Sequence, residues 1–230
     1  MSAVRTADRS ILNWLVAGAL ALWLALVLLL GASGAFVRPP GAPPLPILLG
    51  ATVPILLFLA TYWRSAAFRE WVLDADLRLL TAIQGWRAAG LGFLALYANG
   101  VLPGMFALPT GWGDIGIGVT APWVMLALLR RPAFATSRLF VVWNLLGILD
   151  LVDAMITGAL STLLVIGLAG KVTTTPMAQW PLVLVPAYLV PFLFMLHLAA
   201  LFQVRQQAQA ERSGRRPDQP LRPAKAASLD

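Results

Sequence analysis

The chain contains no cysteine, a single histidine and few charged residues. The absence of cysteine excludes disulfides, thiolate metal ligands and a cysteine nucleophile. One histidine, His197, excludes a haem held by two histidines, and it argues against a tetrahedral zinc site when no thiolate is available. The sequence therefore predicts neither a metal site nor a cofactor.

The shortage of charge also decides the class of protein. Soluble domains are about 45–50% apolar and about 25% charged. This chain of 230 residues is 59% hydrophobic and 12% charged, with a mean hydropathy of +0.79. It is therefore predicted to be an integral membrane protein, with the lipid bilayer as its first partner. The net charge of +7 does not indicate a nucleic-acid partner, because the basic residues flank apolar runs and form no basic stripe.

The apolar runs predict an all-α bundle of about six membrane-spanning helices. The predicted spans are 11–31, 45–63, 80–102, 112–129, 137–157 and 179–204. They form one transmembrane domain over residues 1–205. An amphipathic helix at 64–79 is predicted to lie at the cytoplasmic membrane surface, and 158–178 is an outer loop, an extension of the fifth span or a re-entrant segment. The basic tail at 206–230 is predicted to be disordered and cytoplasmic.

The distribution of basic residues predicts the orientation. Six spans place the N-terminus, the loops at 64–78 and 130–138, and the tail with the preceding Arg205 on one side, which then holds 14 of the 17 lysines and arginines. By the positive-inside rule this side is cytoplasmic. Both termini are therefore predicted to be in the cytoplasm.

Charged and polar residues within the spans are the candidates for a functional site. A carboxylate near the centre of a membrane helix costs about 2.5–3.5 kcal/mol on insertion scales, so such residues usually face the bundle interior. The candidates for binding a substrate or a proton are Arg87, Asp114, Asp150, Asp153 and His197, with Gln84 and Asn144 as supporting polar residues. The predicted spans place the aspartates in the outer half of the membrane, and Arg87 and His197 in the inner half.

Asp150 and Asp153 receive the most weight, because residues three apart share one side of a helix. Two close carboxylates tend to share a proton, which suits proton-coupled movement of a solute or binding of a cation or amine. The alternative is structural, with Arg87 paired to a nearby carboxylate and Asn144 bonded across a helix pair. For Asp114 the alternative is an N-cap of the fourth span, after a Gly/Pro-rich turn at 103–113.

Several short motifs follow one another between Ile83 and Phe202. They are Gln84-Gly85-Trp86-Arg87, Leu108-Pro109, Gly113-Asp114, Ala121-Pro122, Trp143-Asn144 with Gly147 and Asp150, the run from Pro181 to Pro191, and His197. In this order the chain resembles a group of bacterial multi-pass inner-membrane proteins with no assigned activity. The resemblance implies a bacterial inner-membrane location and carries over no functional residue.

Three functions remain open at this stage. The first is a small permease-like or solute-binding protein with a polar intramembrane cavity for a small molecule or lipid. The second is a membrane-embedded enzyme that acts on a lipid or isoprenoid, with an aspartate or His197 as general base. The third is an accessory or assembly subunit without a site. The sequence favours the first, leaves catalysis undecided, and does not identify the ligand or the oligomeric state.

Overall fold

The computed structural model describes residues 2–39, 42–163 and 172–212. These residues contain helices and turns and no β-strand, which confirms the predicted all-α class. The α-helices are α1 (Ser2–Ala32), α2 (Leu45–Arg64), α3 (Ala66–Leu73), α4 (Leu77–Ile83), α5 (Leu91–Ala98), α6 (Gly104–Arg130), α7 (Arg138–Leu163) and α8 (Val190–Arg212).

Six stretches of the described chain are long and apolar enough to cross a membrane. They are Ser10–Ala32, Leu45–Arg64, Leu77–Ala98, Gly104–Arg130, Arg138–Leu163 and Val185–Ala210, and we number them spans 1 to 6. Span 3 joins α4 to α5 through a 3₁₀ segment, Gln84–Gly90. Span 6 begins with a π-helical turn, Val185–Leu189, that leads into α8. Many large apolar side chains on these helices point outward, as expected of helices that face lipid.

Two predicted boundaries are wrong. The stretch 103–113, predicted as a turn, is mostly helical, because α6 begins at Gly104 and continues through Pro109. Proline and glycine interrupt membrane helices less than soluble ones, since neighbouring groups satisfy the freed backbone atoms. The last span begins at Val185, and residues 179–183 before it form a bend and a turn.

The last two spans end later than their predicted ranges, and for span 5 this extension is one of the alternatives that the sequence left open. Helix α7 runs to Leu163, so the residues after 157 extend span 5 before the chain reaches 164–171, which lie outside the described residues. Helix α8 continues to Arg212, so 206–212 are helical where disorder was predicted. The rest of the predicted disordered tail lies outside the described residues.

The predicted amphipathic helix at 64–79 is divided into two helices. Ser65 caps α3, its Oγ accepting from the Phe68 N–H at 3.2 Å, and α3 ends at Leu73. Asp76 then caps α4 by accepting from the Arg78 N–H at 2.8 Å. Aspartate is a strong N-cap, so the Asp-Ala-Asp sequence at 74–76 favours a new helix start over a continuous helix.

The apolar side of α3 packs mainly on protein. Val72 is buried in a cluster with Leu80 and Ala199. The Trp71 Nε1 donates to the Asn13 Oδ1 at 2.7 Å and so joins α3 to α1.

Two apolar clusters lie on either side of the middle of spans 3 to 6. One contains Phe93, Leu102, Phe106, Ala107, Ala154 and Met177. The other contains Leu128, Ala135, Phe140, Ala200 and Val204. In α6 and in α7, the segment between these clusters holds the aspartates. The packing of the two ends therefore fixes the helices around a polar centre.

Candidate functional site

Arg87 is the centre of a buried charged cluster that joins spans 3, 4, 5 and 6. Its Nε donates to the Asp114 Oδ1 at 2.7 Å, and its Nη2 donates to the Asp150 Oδ2. Its Nη1 donates to the Gly147 carbonyl at 3.1 Å and lies 3.2 Å from the His197 Nε2. We call Arg87, Asp114, Asp150 and His197 the Arg87 cluster. All three guanidinium nitrogens are engaged, so the arginine is held in one orientation.

Asn144 extends the cluster on the side of the histidine. A guanidinium has no acceptor, so the His197 Nε2 must accept from Arg87. The other ring nitrogen, Nδ1, then carries the proton and donates to the Asn144 Oδ1 at 2.9 Å. The Asn144 Nδ2 donates in turn to the Phe140 carbonyl at 2.9 Å. The hydrogen bonds therefore all run in one direction, from the arginine to the backbone of α7.

Close backbone packing brings span 3 against α6. A Cβ on Gly118 would overlap the backbone of Arg87 and Ala88, so only glycine allows this approach. The contact falls on the 3₁₀ segment Gln84–Gly90, and a 3₁₀ stretch within a longer helix is often found at a hinge or under strain. The Arg87 side chain consequently emerges where it reaches both α6 and α7.

Two further glycines make room for the side chains of the cluster. A Cβ on Gly113 would overlap the Asp150 carboxylate, and a Cβ on Gly147 would overlap the His197 ring. These glycines lie on the two helices that carry the aspartates. Their roles were not predicted from the sequence, although Gly147 precedes Asp150 by about one helical turn.

The charges of the cluster do not balance when both carboxylates are ionised. One guanidinium faces two aspartates, and the geometry above makes His197 neutral. Arg87 is almost fully buried, and the side chains of Asp114 and Asp150 are each 13% exposed. Within the described residues, one oxygen of each carboxylate accepts no hydrogen bond. A buried uncompensated charge is costly, so a proton or a bound cation would stabilise this arrangement.

Several predicted roles change as a result. Asp114 does not cap a helix, because it lies inside α6 and accepts from Arg87. The two aspartates that share one positive charge are Asp150 and Asp114, on neighbouring helices. Asp153 is half-buried about one turn beyond Asp150, and in the described part of the chain its carboxylate has no hydrogen bond or ion pair.

The depth assigned to these residues also changes. The sequence placed the aspartates on the outer side of Arg87 and His197, but the direct contacts put Asp114, Asp150, Arg87 and His197 at one level. For Asp114 the shift follows from the earlier start of α6, and for Asp150 from the later end of α7, so that each aspartate lies near the middle of its span.

Gln84 lies beside the cluster without joining it. Its Nε2 donates to the Leu193 carbonyl at 3.1 Å, which ties span 3 to span 6. Its Oε1 is buried and has no partner among the described residues.

Trp143 is a neighbour of the cluster that sequence reasoning missed. Its ring lies edge-on to His197 with centroids 5.5 Å apart, and its Nε1 donates to the Thr120 Oγ1 at 2.8 Å. Trp143 and Thr120 thus form the boundary of the Arg87 cluster on the side of His197. No group of three or more acidic or histidine side chains that would hold a metal ion occurs within residues 2–39, 42–163 and 172–212.

The fold and the cluster together define a multi-pass helical membrane protein with a charged centre. Residues 43–205 match the family described as Domain of unknown function (DUF8737), and since this is well over half of the chain, the protein belongs to that family. The seven candidate residues all lie in the matched segment, whereas α1 lies outside it. No curated protein and no solved structure matches the chain.

Proposed function

We propose that this protein is a small permease-like or solute-binding protein of a bacterial inner membrane, and that its Arg87 cluster binds a proton or a small cationic solute. The observation that carries the proposal is the single guanidinium between Asp114 and Asp150. Each aspartate gives one oxygen to Arg87 and retains another, so the pair offers one negative charge and two acceptor atoms. A proton or an alkylammonium ion has the charge that this pair requires.

The position of the cluster supports binding over an incidental charge. Ionisable groups are rare inside membrane spans, and those present commonly mark pathways for protons or substrates. Asp153 continues the negative charge along α7, away from the loop that follows Arg130 and Arg131. With both termini cytoplasmic, a cation would enter the site from the outer side of the membrane.

The test is charge movement in proteoliposomes measured on a solid-supported membrane. Wild-type protein is exposed in turn to a pH step, to sodium and to methylammonium, and the same steps are applied to Asp150→Asn and to Glu70→Gln. Glu70 is an exposed acid on α3, so its variant controls for the loss of one negative charge. We expect a transient current in wild type and Glu70→Gln that Asp150→Asn abolishes. Absence of current from a folded wild type under all three conditions would contradict the proposal.

Every nitrogen of the Arg87 guanidinium already has a protein partner, and this favours a second candidate. It is an accessory or assembly subunit in which the cluster only fixes the packing of the helices. The contacts of Arg87 join four spans, and paired polar groups of this kind stabilise helix association in lipid. This candidate predicts that Asp150→Asn loses stability while wild type shows no current. A general base at His197 is not part of either proposal, because both ring nitrogens are engaged.

A further inference from the structure

A second polar site lies at the ends of the spans, away from the Arg87 cluster. A cavity of about 470 Å³ opens between the α3–α4 junction, the end of α6 and α8. Leu77, the first residue of span 3, and Leu129, near the last of span 4, both line it. The cavity is therefore at one face of the membrane, where its polar side meets the headgroup layer and its leucines meet the acyl chains.

Gln203 gives this cavity a fixed acceptor. Its side-chain Nε2 donates to the carbonyls of Val72 and Ala75, both at 2.9 Å, so both N–H groups are used. Gln203 is 4% exposed and lines the cavity. Its Oε1 has no partner in the described part of the chain, and this atom is not fully buried. The amide is thus locked by its nitrogen, and its oxygen remains free to accept.

Asp76 supplies a second acceptor, with negative charge. Its Oδ1 accepts both the Arg78 N–H at 2.8 Å and the Arg78 Nε at 3.0 Å, which leaves Oδ2 for another donor. These hydrogen bonds, that of the Arg78 side chain first, hold the pKa of Asp76 below its ordinary value. The carboxylate is therefore ionised at neutral pH, and the terminal nitrogens of Arg78 are not used by Asp76.

This set of groups matches a zwitterionic headgroup. A primary ammonium has three N–H donors for the Gln203 Oε1 and the Asp76 Oδ2, and a phosphodiester suits the Arg78 guanidinium. Leu128 and Leu129 on the wall would contact the start of the acyl chains. We propose that this cavity binds the headgroup of an ethanolamine phospholipid and so joins the α3–α4 junction to α6 and α8.

The test is native mass spectrometry of the delipidated full-length protein with a methylation series of one phospholipid. Phosphatidylethanolamine, its N-methyl and N,N-dimethyl forms, and phosphatidylcholine with the same acyl chains keep the charge while they remove the N–H donors one by one. In wild type we expect lipid occupancy to fall along the series. From phosphatidylethanolamine to phosphatidylcholine the affinity should fall about tenfold, because the ammonium loses its hydrogen bonds to a charged acceptor and to an amide acceptor.

Three variants, one at the cavity and two controls, locate the site. Asp76→Asn removes the charge but keeps a good N-cap for α4, so the fold is retained. The preference for ethanolamine over choline lipid should fall by about threefold to tenfold, which is the effect of losing one partly exposed charged hydrogen bond. Glu70→Gln, an acid on α3 that does not line the cavity, should retain the preference. Asp150→Asn should retain it too, so failure of this proposal is distinguishable from failure of the Arg87 proposal.

Three results would overturn the inference. Equal occupancy by phosphatidylethanolamine and phosphatidylcholine in wild type would show that the ammonium donors are not recognised. An unchanged preference in Asp76→Asn would place the selectivity elsewhere. Binding of free phosphoethanolamine as tight as that of the lipid would indicate a soluble amine as the occupant, because the leucine wall would then contribute nothing.

Discussion

The Arg87 Nη1 lies 3.2 Å from the His197 Nε2, so a buried arginine is bonded to a histidine as well as to two aspartates. A protonated imidazole would place two donors against each other, and the contact therefore requires a neutral ring that accepts at Nε2. The histidine adds no positive charge to the cluster. Its role is to complete the hydrogen bonds of Arg87 on the side away from the carboxylates.

The first prediction concerns the tautomer of His197. We expect nitrogen NMR of protein labelled with ¹⁵N-histidine to show a proton on Nδ1 and none on Nε2. His197 is the only histidine in the chain, so protein purified without a histidine tag gives a single pair of ring signals. Asn144→Leu removes the acceptor of the Nδ1 proton, and the ring should then shift toward the Nε2-protonated form with loss of the arginine contact.

The comparison with a second variant separates this effect from general loosening. Thr162→Val removes a side-chain hydrogen bond elsewhere on α7 and should leave the histidine signals unchanged. An Nε2-protonated or doubly protonated ring in wild type at neutral pH would contradict the proposed direction of the hydrogen bonds.

The second prediction uses two glycines of α6. In Gly113→Ala the new methyl group overlaps the Asp150 carboxylate, which must then move away from Arg87. We expect a loss of about 1–3 kcal/mol in the free energy of unfolding, as for other overpacked sites. In Gly116→Ala the methyl group meets no atom of the described residues within 4 Å, and stability should be unchanged or slightly higher. Reversible unfolding in detergent measures both, and an equal effect of the two variants would show that the overlap at Gly113 is relieved without cost.

The fold was largely predictable because the length and composition of apolar runs decide which segments span a membrane. The boundaries of the helices were less predictable from the sequence. Pro103 and Pro109 were interpreted as turn residues by rules drawn from soluble chains, but in the structure Pro103 precedes the first turn of α6 and Pro109 lies inside it. The break after Leu73 depends on the capping by Asp76, which competes with an otherwise continuous amphipathic pattern.

The charged residues of the cluster stand out in the sequence, and a carboxylate partner for Arg87 is one of the alternatives that the sequence left open, but which carboxylates pair with it was not predictable. Arg87, Asp150 and His197 stand out because each is costly inside an apolar run. The spacing of Asp150 and Asp153 is visible in the sequence, whereas the pairing of Asp150 with Asp114 depends on how α6 and α7 are rotated. Close contacts at Gly113 and Gly118 accompany that rotation: the spacing of these glycines indicates close helix approach, but it does not reveal which groups they contact.

The third prediction is a double-mutant cycle on Arg87 and Asp150. Arg87→Gln leaves two carboxylates facing each other without a counter-charge, and removal of one partner from a buried ion pair costs about 3–5 kcal/mol. Asp150→Asn alone should cost less, because Asp114 still neutralises the arginine. We therefore expect Arg87→Gln with Asp150→Asn to be more stable than Arg87→Gln alone, although one substitution has been added.

Unfolding of the four proteins in lipid–detergent mixtures gives the coupling energy, and Arg130→Gln, at the exposed end of α6, serves as the control for loss of one arginine. Arg87→Lys should not restore wild-type stability, because an ammonium does not reach both aspartates in the fixed geometry of a guanidinium. Additive effects of Arg87→Gln and Asp150→Asn would mean that the two charges do not interact, and the excess negative charge on which cation binding rests would then be absent.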